Sequence, residues 1–363
     1  MAKEANTKLH VNQSNEGEDN KQASFHPHHI TLKTFHTLLS HYPTTVERVY
    51  RGKLTQKLQS KALKGPKRKA ETNTSTAPTK TELDPSQEKH ILEEIDKFLQ
   101  LDQWRYEELP KIIAERANES HKGSGLEGTH LLKEELIDIM EWKTKHGVSR
   151  PMLMGMVKSN PVATITKSTS TAFAALPDAD TVAPNDAFPK ASLDALTTLI
   201  RGVGPATASL ILSIATVLYA KKQVPFYSDD VYLWLCLMDF PDGRDVKEQT
   251  TSKHKKPNGE LIVKYNMNEY RDLWNAAHEL RTRLNDDAGK TGDGPVSFVD
   301  IERAAYVLRN IAVSDYYTSP DPEASWESVE VTEQGNSPIS QESKVDSSEV
   351  GTRRSKRVKQ GAM

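Results

Sequence analysis

Residues Ser192 to Ser209 read Ser-Leu-Asp-Ala-Leu-Thr-Thr-Leu-Ile-Arg-Gly-Val-Gly-Pro-Ala-Thr-Ala-Ser, the pattern of a helix, a two-glycine hairpin and a second helix. Ser192 is suited to cap the first helix, and Gly202 to take the left-handed conformation that ends it. Val203 would plug into the core between the two helices. Gly204 permits close backbone approach, and Pro205 suits a first helical turn because its missing donor is not required there. The amides of Gly202, Val203 and Gly204, with the positive end of the second helix, are expected to face an anion. No charged side chain is needed for that contact, so it would position a nucleic-acid backbone without reading bases. An ordinary capped helix turn is the alternative on these residues alone.

The rest of the chain reads as helical. Apolar residues recur near a period of 3.6 at Ile91, Ile95, Phe98 and Leu99, over Tyr106 to Ala117, and from Thr129 to Lys145, where Gly147 is the expected stop. Arg150-Pro151 restarts a helix, and Pro161 to Ala175 continues the pattern. Val231 to Met238, Met267 to Leu284 and Ser297 to Ile311 follow, separated by Gly, Pro, Asn and Asp clusters. No two-residue alternation is evident, so the expected fold class is all-α, with the body at 86–316 and an exposed, lysine-rich loop at 242–264. Upstream, 1–29 is polar and expected to be disordered. Residues 30–50 read as a short helical segment broken at Tyr42-Pro43, and 51–85 as a basic and polar linker. The tail, 317–363, is acidic and serine-rich before it ends in a basic run and is likewise expected to be disordered.

Only 36% of the 363 residues are hydrophobic, consistent with part of the chain being unpacked, and the formal net charge is −2. Any basic surface must therefore be local. A single cysteine, Cys236, excludes an intrachain disulfide and any Cys-x-x-Cys metal site, so neither metal nor other cofactor is expected. With no apolar run near the roughly 18 residues of a membrane span and no secretory leader, a soluble protein in a reducing compartment is expected. Two dense basic clusters, Lys64-Gly-Pro-Lys-Arg-Lys69 and Arg353-Arg-Ser-Lys-Arg-Val-Lys359, have the form of nuclear import signals or nucleic-acid-binding arms. A nuclear location follows as an expectation, with the tails available to nuclear protein partners.

Beyond the hairpin, Ala206-Thr207-Ala208-Ser209 leads into an apolar helix and then Val224-Pro-Phe-Tyr-Ser-Asp-Asp-Val-Tyr-Leu233. Together these segments resemble the helix-hairpin-helix (HhH-GPD) DNA glycosylases of base-excision repair, in which a Leu-x-Gly-Val-Gly-x-x-Thr-Ala hairpin is followed, one helix later, by a catalytic aspartate. The resemblance covers roughly 136–235. It implies an all-α body with its pocket between two subdomains, DNA as partner through the phosphate backbone, and Asp229 or Asp230 as the catalytic carboxylate. The hairpin position that carries lysine in members cleaving through a Schiff base is Ala206 here, which disfavours lyase chemistry and points to a monofunctional glycosylase using water. The segment between hairpin and aspartates is a few residues longer than is usual in the family.

An N-cap role is the alternative for either aspartate. Lys143 and Arg150, with Lys145 and His146, concentrate positive charge at a helix end and are expected, with Gly202, Val203, Gly204 and Thr207, to contact DNA; compensating the helix dipole is their alternative role. Trp104, Tyr106, Trp142, Phe226, Tyr227, Tyr232 and Trp234 are available to line a base pocket. Two other functions fit the sequence: a catalytically inactive nuclear adaptor for nucleic acid or chromatin, and a helical scaffold for protein partners.

Overall fold

A computed structural model describes residues 24–63, 84–120, 125–148, 150–177, 186–241, 254 and 261–318. The apolar periodicity becomes helices α1 (Leu32–Ser40), α2 (Tyr42–Leu63), α3 (Pro85–Gln103), α4 (Leu109–Ser120), α5 (Lys133–His146), α6 (Pro151–Lys158) and α7 (Val162–Ala174). After these come α8 (Lys190–Leu199), α9 (Pro205–Thr216), α10 (Asp229–Leu235), α11 (Met267–Thr291) and α12 (Phe298–Arg309). There is no β-strand among the described residues. None of their helices is long and apolar enough to cross a membrane.

Helix α9 is the centre of the body. Every residue from Thr207 to Thr216 is buried, as expected of a helix apolar on all sides and packed on all sides. It contacts α4, α8 and α11, while α7 packs along α8 and α6 along α5. The N-terminal helices α1 and α2 pack against α12, α2 also against α3, and α10 against α11 and α12. Helices from the two ends of the described chain thus close one side of the molecule.

The structure departs from the sequence expectations at its N-terminal side. Ordered chain begins before Ile30: Phe25 is buried, Trp234 Nε1 donates to its carbonyl at 2.8 Å, and Arg283 donates to the Pro27 carbonyl at 2.8 Å. Pro43 lies in the first turn of α2, where proline is tolerated, and the helix runs on to Leu63. Residues 51–63 are therefore helix and not linker. Lys53, Lys57 and Lys61 recur every fourth residue and mask the stripe of Tyr50, Leu54 and Leu58, which packs on the core. A further difference is that α3 and α4 are joined by a π-helical turn, Trp104–Glu108. Its wider spacing lets the consecutive residues Arg105 and Tyr106 both point inward. Both basic clusters, most of 242–264 and all of 319–363 lie outside the described residues.

Candidate functional site

Helix α8 begins two residues before Ser192, which is not its cap; the Ser192 hydroxyl is buried and has no hydrogen-bond partner among the described residues. At the other end Gly202 has φ +84°, as a left-handed helix stop requires. A β-carbon there would meet Met156 Cβ at 3.0 Å and the Leu153 carbonyl at 3.2 Å, so α6 packs directly on the turn. Asn160, just after α6, secures it: Nδ2 donates to the Arg201 carbonyl at 3.0 Å and Oδ1 accepts from the Arg201 amide at 2.9 Å. The Val203 amide donates to the Ile200 carbonyl at 3.2 Å and its side chain is buried, so Val203 is occupied within the turn. The Gly202 and Gly204 amides have no acceptor among the described residues.

The stretch between hairpin and aspartates is folded back by α9 itself. Because α9 is buried all round, its hydroxyls must find local partners, and they hold the chain that follows. Thr216 Oγ1 accepts from the Val224 amide at 3.1 Å, and Ser209 Oγ from the Tyr227 amide at 2.9 Å. From Thr216 to Ser209 the helix spans about 10 Å, the length of about three extended residues, which is the distance from Val224 to Tyr227. The extra residues form a single 3₁₀ turn, Ala220–Lys222. Consequently the start of α10 returns to the start of α9. Ser228 is the N-cap there, its hydroxyl accepting from the Val231 amide at 3.1 Å, so neither Asp229 nor Asp230 is used as a cap.

A pocket of about 270 Å³ opens at this junction. Its wall includes Gly202, Gly204 and Thr207 of the hairpin, Lys143 and Arg150, and both aspartates. Of the aromatic candidates, Trp142, Phe226 and Tyr227 line it, whereas Trp104, Tyr106, Tyr232 and Trp234 do not. Tyr265, not anticipated, completes it: its hydroxyl donates to Asp229 Oδ1 at 2.9 Å and accepts from Arg150 at 3.3 Å. Only its place at the end of the lysine-rich loop, four residues before Glu269, could have marked it; Glu269 Oε2 accepts from Tyr227 Oη at 2.9 Å.

The expected cluster of cations separates into different roles. Lys53 compensates the end of α5, donating to the carbonyls of Lys145, His146 and Gly147 at 3.0, 2.5 and 2.9 Å. Lys145 pairs with Glu141 at 2.8 Å. His146 is buried, stacked on Trp142 with ring centroids 4.5 Å apart, and burial followed by the nearby Lys53 charge holds it neutral, well below the usual histidine range. Lys143 turns into the pocket, its ammonium 5.1 Å from the centre of the Phe226 ring. Burial pulls it down to about 8, partly offset by the Asp229 charge and reinforced by Arg150.

Asp230 moves the other way. Burial, then the charge of Asp229, pushes it up to about 7 against the pull of Arg309 and Lys53. The pocket thus holds carboxylates in two different settings, Asp229 tied to a tyrosine hydroxyl and Asp230 desolvated. Cys236 is half-buried, and burial pushes its thiol up to about 12, which makes it a poor nucleophile.

Behind the pocket a polar and aromatic layer fixes Trp142. Its indole Nε1 donates to Asp102 at 2.7 Å, and Tyr42 Oη donates to the same carboxylate at 3.1 Å. Glu302 accepts from Arg105 at 2.7 Å and from Tyr106 Oη at 2.9 Å. The Arg105 guanidinium lies over the Tyr106 and Trp142 rings at 3.9 and 4.6 Å. Satisfied buried networks of this kind hold an adjoining wall in a single conformation. No group of three or more His, Cys, Asp or Glu side chains suited to a metal ion occurs among the described residues. Comparison with protein-family models, curated proteins and solved structures finds no match.

Proposed function

We propose that this chain is a DNA-binding protein of the helix-hairpin-helix glycosylase type that hydrolyses the N-glycosidic bond of a damaged base. The observation that carries the proposal is the meeting of both aspartates with the hairpin in one aromatic pocket, with Ser228 relieving them of the capping role. A phosphate would sit at the Gly202 and Gly204 amides and the positive end of α9. An everted base would enter among Trp142, Phe226, Tyr227 and Tyr265. The pocket volume, about 270 Å³, lies near the lower limit of the roughly 300–1,000 Å³ typical of small-molecule sites, which suits one base better than a dinucleotide.

As the base departs, positive charge develops on the sugar, and the Asp229 carboxylate is placed to stabilise it and to orient the attacking water. With its raised proton affinity, Asp230 is placed to exchange a proton near neutral pH. A nuclear location, with tails that engage nuclear partners, is part of the same proposal and rests on the two basic clusters.

Free-base release from a panel of lesion-containing duplexes is the test. Release by the natural chain that falls about 100-fold or more in Asp229→Asn supports the reading. Duplex binding that weakens steeply with salt, with no base released from any lesion, would establish the inactive adaptor, which the alanine at position 206 favours. Absence of duplex binding at low salt would leave the protein-interaction scaffold.

A further inference from the structure

We propose that Lys143 is an amine nucleophile of this pocket, forming a Schiff base with the C1′ aldehyde of an abasic deoxyribose, so that the site also acts on the product of base release. The inference rests on the glycosylase reading for its substrate class and on the placement of Lys143 for its chemistry. The expectation of monofunctional chemistry came from Ala206 alone, and the tertiary fold brings an amine into the same pocket from α5.

Lys143 has no structural duty in the fold. The α5 carbonyls that a lysine in the last turn would serve are taken by Lys53, and the ion pair with Glu141 is made by Lys145. Its ammonium forms no hydrogen bond or ion pair with any described residue and faces an aromatic ring. A cation so placed costs stability unless a ligand uses it. Burial and the Arg150 charge favour the neutral amine, the form that attacks a carbonyl, while Asp229 keeps the two forms in balance near pH 8.

In the step proposed, the Lys143 nitrogen bonds to C1′ of the open-chain sugar. The carbonyl oxygen leaves as water with one proton from the amine and one from Asp230 in its acid form, giving an iminium. Asp229 removes a proton from C2′. The electron pair released there expels the 3′ phosphate as the C3′–O bond breaks. Water then hydrolyses the imine and restores the amine. Nothing is oxidised or reduced.

The test uses the full chain and a duplex carrying one aldehydic abasic site, with borohydride to reduce any imine to a stable amine; no base-release activity is needed. The expected result is a covalent protein–DNA adduct that peptide mapping places on Lys143. Trapping should fall at least tenfold in both Lys143→Arg and Lys143→Met, with the melting temperature of Lys143→Met unchanged or raised. An adduct mapped to another amine, or trapping in Lys143→Arg equal to that of the natural chain, would overturn the assignment. So would a natural chain that binds the abasic duplex but is not trapped, and in that case the glycosylase reading would stand. A chain that binds no duplex at low salt would overturn both.

Discussion

The Tyr265 hydroxyl donates to Asp229 Oδ1 at 2.9 Å across 36 residues of chain, tying the residue before the α11 cap to the first turn of α10. Tyr265 pays a conformational cost to be there, since its φ is +54°, and Arg150 steadies the same hydroxyl at 3.3 Å. A hydrogen bond to a charged group contributes about 1.5–3 kcal/mol. Tyr265→Phe is therefore expected to slow single-turnover base release about tenfold or more with little change in duplex affinity. Adding Tyr265→Phe to Asp229→Asn should cost far less than it does alone, a non-additivity that a double-mutant cycle measures.

The environment of Asp230 predicts a pH dependence of stability. Its folded value, about 7, lies above the roughly 3.9 of an unfolded aspartate, chiefly through burial and then through the Asp229 charge. Between those values the folded state binds the extra proton. The contribution is thus fully present below about pH 4 and is lost as pH rises through about 7. Thermal melts of the natural chain should show stability falling between about pH 5 and pH 8 relative to Asp230→Asn, which carries no such proton. Parallel curves for the two proteins would show that Asp230 is not desolvated as described.

The two hairpin glycines should separate folding from binding. Gly202→Ala forces a side chain into the left-handed region and against Met156 and the Leu153 carbonyl, and is expected to destabilise the fold by about 1–3 kcal/mol. Gly204 has open space around a β-carbon and carries no positive φ. Gly204→Ala should melt within about 0.5 kcal/mol of the natural chain. It should nevertheless weaken duplex binding severalfold, because the added methyl stands where a phosphate would approach. Equal melting temperatures for the two variants would contradict this account of the turn.

Arg105 and Glu302 form an ion pair buried on both sides, with side-chain exposures of 1% and 4%. Removing one partner strands the other charge, so Arg105→Met or Glu302→Gln alone is expected to cost about 3–5 kcal/mol in denaturant unfolding. The double variant should recover part of that loss, because replacing both charges removes the desolvation penalty along with the attraction. A double variant no more stable than the worse single would show that Glu302 matters mainly through its bond to Tyr106.

Local patterns were enough to read the all-α class, the stop at Gly202, the Pro205 start of α9 and the loop-to-helix position of Asp229, because caps, turns and apolar periods are properties of neighbouring residues. The extension of α2 to Leu63 was hidden by lysines on its solvent face, and the join between α3 and α4 by a π turn that leaves no periodic signature. Assigning the α5 cations required knowing what else reaches that helix end. Lys53, 90 residues before Lys143 in sequence, takes the carbonyls and releases Lys143 into the pocket.

By itself the sequence determined that the chain folds into helices, that a two-glycine turn joins two of them, and that paired aspartates begin a third, since each depends on short-range backbone preference. Only the tertiary structure decided that these features share one pocket with Lys143, Arg150 and Tyr265. The reason is physical: the buried hydroxyls of Ser209 and Thr216 needed partners, and satisfying them with the Tyr227 and Val224 amides folded the chain back until Asp229 and Asp230 lay beside the hairpin.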